Sequence, residues 1–363
     1  MKHTLLSSLA FLSLMAARIL PAGTATMETV ASFPEQQVTG VAVSKRGRIF
    51  VNFPNWSDNH TVSVAEIVRG EPHPYPNEEW NRAGAPGKHF VCVQSVYVDE
   101  SDSLWVLDPA APGMKETVTG GPKLVKIDLI KNEVVQTIPF GENVAPKKSY
   151  LNDVRVDTKT QTAYITDSGL GAIVVVDLRD GKARRLLEGD PSTQAAKDFQ
   201  LEVNGRTLLT EDGKPPRIHS DGIAFDPLSG YLYYHALTGK TLYRIKTTDL
   251  KNPRLTKSEL SARVETVIET PAPDGMAMGP DGRLYLTDVE HGAVQALDLR
   301  ENQLVSLLAD GRLSWPDSLA WGPDGSLYVT TSQIQQMPRF NGGKDMRTIP
   351  YRVYKILGAR DAP

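Results

Sequence analysis

The chain has 363 residues, and its 40 Lys and Arg against 43 Asp and Glu give a formal net charge of −3, which provides no overall basic field for nucleic acid. A hydrophobic share of 40% with 23% charged residues is typical of a globular chain rather than a disordered one. The single cysteine, Cys92, excludes an intramolecular disulfide and a zinc site made of four thiolates.

The first 25 residues have the order of an export signal. A basic start at Lys2 precedes a largely apolar run from Leu5 to Leu20, and small residues follow at Gly23 and Ala25. The alternative is an amphipathic N-terminal helix, which Arg18 favours. The run is too short to span a bilayer stably, and no later segment resembles a membrane span. We therefore predict a signal peptide at about residues 1–25, a secreted or periplasmic location, and a single domain over residues 26–363.

One phrase recurs six times along the rest of the chain: a polar residue, a usually small residue and a short apolar strand. The six phrases begin at Thr39, Gln94, Asn152, Asp221, Asp274 and Asp317 and are separated by 55, 58, 69, 53 and 43 residues. A turn and a second β-rich run follow each start, and usually a third run. A two-sheet sandwich does not explain six similar starts at this spacing, whereas propeller blades do. The sequence predicts an all-β, six-bladed β-propeller.

The two ends of the chain complement each other. The last repeat offers only three strands, the third at Tyr351–Ile356, and the β-like run Met27–Phe33 lies before the first repeat. An N-terminal strand at about residues 27–33 is therefore predicted to complete the last blade and close the ring.

Two stretches lack the repeat features. We interpret Gly189–Arg217 as an excursion over one face, with a short helix near Ser192–Phe199. The tract Pro54–Gly87 is interpreted as a long irregular loop of the kind that shapes a binding mouth. Its Trp56 and Trp80, with the neighbouring Phe53, are candidates for an aromatic ligand wall, although packing beneath the loop explains them equally well.

The six polar residues at the repeat starts are predicted to form a ring at one mouth of the central channel. Three carboxylates meeting there would repel one another unless a cation or a shared proton offset their charge. Oxygen ligands suit a hard divalent ion, so we predict Ca²⁺, with Zn²⁺ or Mn²⁺ as alternatives, held by Asn152, Asp221 and Asp274. Asp-Gly pairs also serve local backbone geometry, which is the structural alternative for each Asp.

Several phrases resemble the yellow/major royal jelly protein family. They are Tyr150–Asp157, Tyr164–Ser168, His219–Ala224, Leu232–His235, Leu242–Ile245, Val93–Val96 and Leu104–Asp108. The resemblance covers nearly all of the chain after the signal and implies a secreted six-bladed propeller. The family includes pigment-related proteins, dopachrome-converting proteins and binders of small amines.

The wider fold group contains gluconolactonase and regucalcin, whose metal ligands are one Glu, two Asn and one Asp. By this resemblance Asn152 matches one Asn, and Asp274 matches the Asp that also acts as a base. Asp221 stands in place of the second Asn, and Thr39 stands in place of the Glu. The loss of that Glu argues against lactonase activity.

Two functions remain as predictions. The first is binding of a small polar or aromatic ligand at the channel mouth, with or without a divalent cation. Its predicted ligand-binding residues are Thr39, Gln94, Asp317, His219 and His235. The second is a metal-dependent lactone or ester hydrolase, or a dopachrome-type isomerase, with Asp274 as the catalytic residue. The sequence does not indicate an oligomeric state.

Overall fold

Six antiparallel sheets of four strands each form the blades of a propeller. A computed structural model describes residues 25–57 and 59–360. The first strand of each blade contacts the first strand of the next, and that of blade 6 contacts that of blade 1, so the innermost strands close a ring. The predicted six-bladed all-β propeller is confirmed. The predicted signal peptide lies outside the described residues.

The strand bounds follow the predicted repeat. Blade 1 contains Gly40–Val43, Ile49–Asn52, Val64–Val68 and Glu71–Pro74. Blade 2 contains Ser95–Val98, Ser103–Asp108, Lys123–Asp128 and Glu133–Pro139. Blade 3 contains Leu151–Asp157, Thr162–Asp167, Ala172–Asp177 and Ala183–Leu186.

The second half of the ring is built in the same way. Blade 4 contains Ser220–Asp226, Tyr231–Ala236, Thr241–Lys246 and Glu265–Glu269. Blade 5 contains Met276–Met278, Leu284–Asp288, Ala293–Asp298 and Gln303–Ala309. Blade 6 contains Pro316–Trp321, Leu327–Thr331, Tyr351–Leu357 and, as its outer strand, Thr26–Phe33.

Helices within the described residues are short and lie in the connections. The α-helices are Glu78–Asn81, Thr247–Lys251 and Lys257–Ser261. The 3₁₀ turns are Pro112–Met114, Pro191–Thr193, Ile334–Gln336 and Pro338–Phe340. No helix in this part of the chain is long and apolar enough to cross a membrane.

The N-terminal strand completes blade 6, as predicted. Its pairing runs from Thr26 opposite Leu357 to Phe33 opposite Tyr351, with one bulge before Ala31. Met27, Ala31 and Phe33 are buried, and the strand thereby covers the backbone edge that the last strand would otherwise expose.

The core lies between the blades rather than in one central mass. Six of the seven apolar clusters of the described residues join side chains of two neighbouring sheets, as where Trp105 and Leu124 of blade 2 meet Val154 and Val174 of blade 3. Burial of a large apolar side chain contributes about 1.5–3 kcal/mol, so such interfaces stabilise the closed ring. A chain without disulfides is held together in this way.

Two of the loop predictions are wrong in part. The tract 54–87 is not an irregular loop, because it contains the two outer strands of blade 1. Its prolines at positions 72 and 74 are compatible with a strand because they lie in the edge strand, which tolerates the missing N–H. The helix predicted near residues 192–199 is only the 3₁₀ turn Pro191–Thr193, since the Thr193 hydroxyl bonds to the carbonyl oxygen of Leu187 instead of continuing a helix. A small hairpin, Glu202–Val203 with Arg206–Thr207, follows.

Candidate functional site

A cavity of about 240 Å³ lies at the channel mouth where the innermost strands begin. Its inner end, which we call the floor, is formed by Gln94, Asn152, Asp221 and Asp274. The aromatic side chains that line it, which we call the walls, are Trp56, Tyr150, Trp315 and Phe340. The cations that line it, which we call the rim, are Lys115, Lys148, Arg217 and Arg339. Four of the six predicted ring residues therefore share one cavity.

Glycine follows two of the three ring aspartates, Asp221 and Asp274, because neighbouring innermost strands approach closely. A Cβ atom at Gly222 would lie 2.7 Å from the carbonyl oxygen of Asp274, and one at Gly275 would lie 2.1 Å from that of Asp317. Real Cβ atoms are not found at such distances from backbone oxygen, so only glycine fits. The Asp-Gly pairs of the repeat thus serve the channel and are not turn residues.

Threonines on the second strands fix the backbone of the ring. The hydroxyl of Thr287 accepts hydrogen bonds from the N–H groups of Asp274 and Gly275, each at 3.0 Å. Thr166 donates to the carbonyl oxygen of Asp221 at 2.6 Å, which joins blade 3 to blade 4. The ring side chains therefore project from a backbone held on both sides.

Buried carboxylates at the ends of second strands hold the loops that lead into the ring. Asp108 accepts hydrogen bonds from the N–H groups of Val91 and Cys92 and pairs with the Lys123 ammonium at 2.6 Å. In blade 3, Asp167 accepts from Tyr150 N–H and pairs with Arg185 at 2.7 Å. Neither carboxylate stands at a repeat start, so the repeat pattern did not predict this role.

Few hydrogen bonds offset the negative charge of the buried carboxyl groups at the floor. The amide of Asn152 donates to Oδ1 of Asp221, and Trp315 Nε1–H donates to Oδ2 of Asp274 at 2.6 Å. Behind them, Oδ2 of Asp317 is buried and has no hydrogen-bond partner among the described residues. Each of the three Asp side chains is less than a tenth exposed.

Burial raises the pKa of all three carboxyl groups. The pKa of Asp274 is raised to about 7, by loss of hydration first and by the charge of Asp153 in addition. Loss of hydration and then the charge of Asp274 hold the pKa values of Asp221 and Asp317 well above their usual range. At neutral pH these carboxyl groups therefore bind protons unless a metal cation takes the place of the protons.

A hydrogen-bond chain joins the walls to the floor. Trp56 Nε1–H donates to the Tyr150 hydroxyl at 2.9 Å, and this hydroxyl donates to Oε1 of Gln94 at 2.9 Å. Burial holds the pKa of Tyr150 well above its usual range, so the hydroxyl stays a donor. One predicted wall residue, Trp56, and one predicted ligand residue, Gln94, are thus placed at the cavity.

Four predicted ligand-binding residues do not line the cavity. Thr39 is fully buried and its hydroxyl accepts from Asn52 at 2.9 Å, and Asp317 lies behind Asp274. His235 is fully buried, and burial lowers its pKa to about 4. His219 accepts from Ala195 N–H at 3.1 Å through Nδ1, beneath the excursion. Thr39, His219 and His235 thus have internal partners, whereas Asp317 is buried outside the cavity.

Two further aromatic candidates lie elsewhere. Trp80 packs on Phe90 with ring centres 5.1 Å apart, and Phe53 packs on Phe33 at 5.0 Å. Neither lines the cavity. Trp80 and Phe53 follow the packing alternative that the sequence left open.

An arginine crosses the channel below the ring. Arg155 of blade 3 donates to the carbonyl oxygen of Met276 in blade 5 at 2.7 Å, and its guanidinium carbon lies 5.2 Å from the centre of the Tyr97 ring. These two side chains line a second cavity of about 340 Å³ at the opposite mouth. The cavity with the polar floor is thus separated from the opposite mouth.

A larger surface groove, of about 1040 Å³, lies away from the channel. It runs along the outer strand of blade 3 and contains the largely exposed ion pairs Arg179–Asp177 at 2.5 Å and Lys182–Asp180 at 2.7 Å. Neither acid of the groove is buried, whereas both acids of the channel mouth are, so the channel mouth is the better candidate site.

Loops that the repeat did not reveal build the upper cavity. Residues 332–350 of blade 6 bring Arg339 and Phe340 to the cavity, and the excursion brings Thr210 and Arg217. These loops share one apolar cluster with Trp315, which we call the cap cluster. Among these cavity residues, only Trp315 could be related to the sequence repeat, since it stands two residues before a repeat start.

The residues present fit a divalent cation only in part. Buried acids with raised pKa values and an unpartnered carboxylate oxygen indicate negative charge that a cation would offset. Within residues 25–57 and 59–360, however, no three His, Cys, Asp or Glu side chains are grouped so that they could hold a metal ion. A cation here would depend on Asp221 and Asp274 with amide oxygen from Asn152.

Comparison with known proteins identifies the family. Major royal jelly protein 6 of Apis mellifera is 24% identical over 230 residues, covering 61% of this chain and 50% of the relative. Protein yellow of Drosophila pseudoobscura pseudoobscura is 29% identical over 119 residues, covering 30% of this chain and 21% of the relative. The chain matches half or less of the length of these relatives.

A solved structure shares the fold. A gluconolactonase from Xanthomonas campestris superposes with a TM-score of 0.55 at 11% identity, covering 92% of this chain and 90% of that one. The sequence model of the major royal jelly protein family matches residues 91–357. The chain therefore belongs to the major royal jelly protein family, as its sequence phrases indicated.

Proposed function

We propose that this major royal jelly family propeller binds a small polar or aromatic ligand in the cavity at its channel mouth. The observation that carries the proposal is the cavity of about 240 Å³, whose floor is polar and whose walls are aromatic. A few polar groups that converge beneath apolar walls are typical of small-molecule sites. The walls supply contact area, and the floor supplies orientation.

The proposal also includes a divalent cation on the floor. Asn152, Asp221 and Asp274 would hold it, with Ca²⁺ favoured over Zn²⁺ or Mn²⁺ because the side-chain donors are all carboxyl or amide groups. When bound, such an ion supplies positive charge that orients ligand oxygen atoms. The chain's own residues provide the walls, the hydrogen bonds and the exclusion of water.

Export is a further part of the proposal, because residues 1–25 have the order of a signal peptide. N-terminal sequencing of secreted or periplasmic protein is expected to begin near Thr26. Recovery of the protein solely from the cytosol with Met1 intact would contradict export.

A catalytic function is the second candidate, and one observation favours it. The pKa of Asp274 is raised to about 7, which suits a group that accepts a proton near neutral pH. This would serve a lactone or ester hydrolase or a dopachrome-type isomerase. Against the hydrolase, Thr39 replaces the glutamate of the gluconolactonase pattern, and its hydroxyl bonds to Asn52 within blade 1.

A thermal-shift screen with aromatic acids, aromatic amines, sugars and lactones tests ligand binding. Trp56 and Trp80 form a matched pair, because both are half-buried and only Trp56 lines the cavity. Compounds that raise the melting temperature of the wild type are expected to do so in Trp80→Ala and to lose the effect in Trp56→Ala. A screen without any stabilising compound, or stabilisation unaffected by Trp56→Ala, would contradict the proposal.

The same protein tests the catalytic alternative. Hydrolysis of gluconolactone is measured with Ca²⁺, Mn²⁺ and Zn²⁺ supplied separately, for wild type and Asp274→Asn. Turnover that disappears in Asp274→Asn would establish the enzyme. Absence of turnover with each ion, together with ligand binding, is the result that the binding proposal expects.

A further inference from the structure

The rim of the cavity carries positive charge without an ion pair to any acid of the described residues. None of its four cations, Lys115, Lys148, Arg217 and Arg339, forms such a pair, although the charge of Glu211 acts on Arg339 from a longer distance. Arg217 instead donates to backbone oxygens, among them that of Ala195 at 2.6 Å. This chain carries a net charge of −3, so the positive rim is a local feature.

Arg339 contacts a thioether and an aromatic ring rather than a carboxylate. Its Nη1 faces the thioether sulfur of Met114 at 2.6 Å, and its guanidinium carbon lies 5.3 Å from the centre of the Phe340 ring. A thioether is a weak acceptor for a guanidinium, which is built for two parallel bonds to a carboxylate. Loss of hydration lowers the pKa of Arg339, and the charges of Tyr150 and Glu211 act in the opposite direction.

The floor presents fewer charges to a ligand than the rim does. Of the described residues that line the cavity, only Asp221 and Asp274 are acids, and they accept hydrogen bonds from the Asn152 amide and the Trp315 indole. The four rim cations outnumber these two acids, so the rim favours a negatively charged ligand.

We infer that this cavity takes a small aromatic carboxylate, with the carboxylate on Arg339 and the aromatic ring against Trp56 and Phe340. The inference rests on the proposed function and adds the charge of the ligand. An aromatic amine is the competing ligand class, and it would have to pass four cations to reach the floor. A hydrogen-bond donor or acceptor on the side of the aromatic ring opposite the carboxylate would then contact the polar floor.

The test uses three probes that share a benzene ring and differ in charge: phenylacetate, 2-phenylethanol and 2-phenylethylamine. Binding to the mature protein is measured by isothermal titration calorimetry at neutral pH and low salt. Phenylacetate is expected to bind most tightly, and its affinity is expected to fall as salt is raised, since the rim charges are screened.

Arg339→Met removes the charge and keeps the length of the side chain. The dissociation constant for phenylacetate is expected to rise by about ten- to a hundredfold, the factor for one hydrogen bond between charged groups. Binding of 2-phenylethanol is expected to be unchanged in the variant. Arg254→Met, an exposed arginine outside the cavity, is the matched control and is expected to leave all three affinities unchanged.

The outcomes separate the inference from the proposed function. Tighter binding of 2-phenylethylamine than of phenylacetate, or phenylacetate binding that is equal in wild type and Arg339→Met, overturns the inference and leaves a ligand-binding cavity. Absence of binding by all three probes overturns the inference and also counts against the proposed function. A melting temperature of Arg339→Met equal to that of the wild type shows that the variant is folded.

Discussion

The indole Nε1–H of Trp315 donates a hydrogen bond of 2.6 Å to Oδ2 of Asp274, and both side chains are buried. Trp315 adopts a left-handed backbone conformation with φ of 55°, which is rare for a bulky residue. Such a conformation costs about 1–3 kcal/mol and persists only where the surroundings impose it. Here the cap cluster holds the indole, so packing of the loops fixes the geometry of a floor carboxylate.

Replacing Trp315 with Phe is expected to raise the pKa of Asp274 above about 7, because the indole hydrogen bond is the main influence that lowers it. Carboxyl-carbon NMR titration measures the pKa, with Asp274→Asn to assign the signal. Trp105→Phe is the matched control, since Trp105 donates a similar bond of 2.8 Å to Asp99 in blade 2. An Asp274 pKa that is unchanged in Trp315→Phe would show that the bond does not tune this carboxyl group.

The metal-free protein is expected to become less stable as pH rises from about 5 to about 8. The pKa of Asp274 is about 7 in the folded protein and 3.8 as its ordinary value, so the folded state holds the proton more tightly in this range. The stability that this proton contributes is complete below the ordinary pKa and is lost as pH rises through the folded pKa. The raised pKa values of Asp221 and Asp317 act in the same direction.

Melting temperatures in EDTA across this pH range measure the effect. Asp274→Asn is expected to reduce the slope, because the amide does not titrate. Asp212→Asn is the control: its exposed carboxyl has a pKa lowered to about 2 and titrates below the range. A wild-type melting temperature that is constant or rises between pH 5 and pH 8 would contradict the protonated floor.

The repeat made the fold predictable, whereas the cavity was predictable only in its inner part. Six polar starts followed by apolar strands specify the innermost strands, and these alone place Asn152, Asp221 and Asp274 together. The rim and most walls come from loops of unequal length, where no periodic pattern constrains the path. Arg339 reaches the cavity because loops pack together in the cap cluster, a long-range contact that local sequence does not encode.

Thr39 and His235 show why a predicted ligand-binding residue can lie outside the cavity. Thr39 occupies a repeat start, but its hydroxyl accepts a hydrogen bond from the Asn52 amide within blade 1. His235 lies on the second strand of blade 4 and bonds to the carbonyl oxygen of Ala236 at 2.7 Å within the core. Matching sequence position specifies where the backbone runs, and local partners then decide where each side chain points.

The buried ion pair of blade 2 is expected to contribute more to the free energy of unfolding than an ion pair at the surface. Lys123 is 1% exposed and pairs with the fully buried Asp108 at 2.6 Å. Lys123→Met would leave a buried carboxylate without its cation and is expected to lower the free energy of unfolding by about 3–5 kcal/mol. Urea denaturation measures this value.

Lys182→Met is the matched control for that experiment. The Lys182 side chain is 83% exposed in its pair with Asp180, so its removal is expected to change stability by less than about 1 kcal/mol. Equal effects of the two lysine substitutions would show that burial of the Asp108 pair has no particular importance.

Removal of residues 26–33 is expected to destabilise the ring sharply. The deletion takes the outer strand from blade 6 and with it the buried side chains of Met27, Ala31 and Phe33. At about 1.5–3 kcal/mol for each large apolar side chain, the loss amounts to several kcal/mol before the lost backbone bonds are counted. Thermal melts of the chain beginning at residue 26 and at residue 34 measure the difference, and equal melting temperatures would refute closure by this strand.

A divalent cation on the floor is expected to make stability depend on metal. Wild-type protein should melt at a lower temperature in EDTA than in excess Ca²⁺, since an ion bound only to the folded state stabilises by mass action, by about 2.7 kcal/mol at a hundredfold excess over the dissociation constant. Asp274→Asn is expected to shrink this difference.

Asp274→Asn is also expected to raise the melting temperature of the metal-free protein at pH 8, because it removes a buried acid that ionises at high pH. Asp310→Asn, in a surface pair with Arg312, is the control that should retain the full response to Ca²⁺. If the wild-type melt responds to neither EDTA nor Ca²⁺, the floor carboxyl groups are compensated by protons, and the case for a metal-assisted reaction at Asp274 falls with the metal.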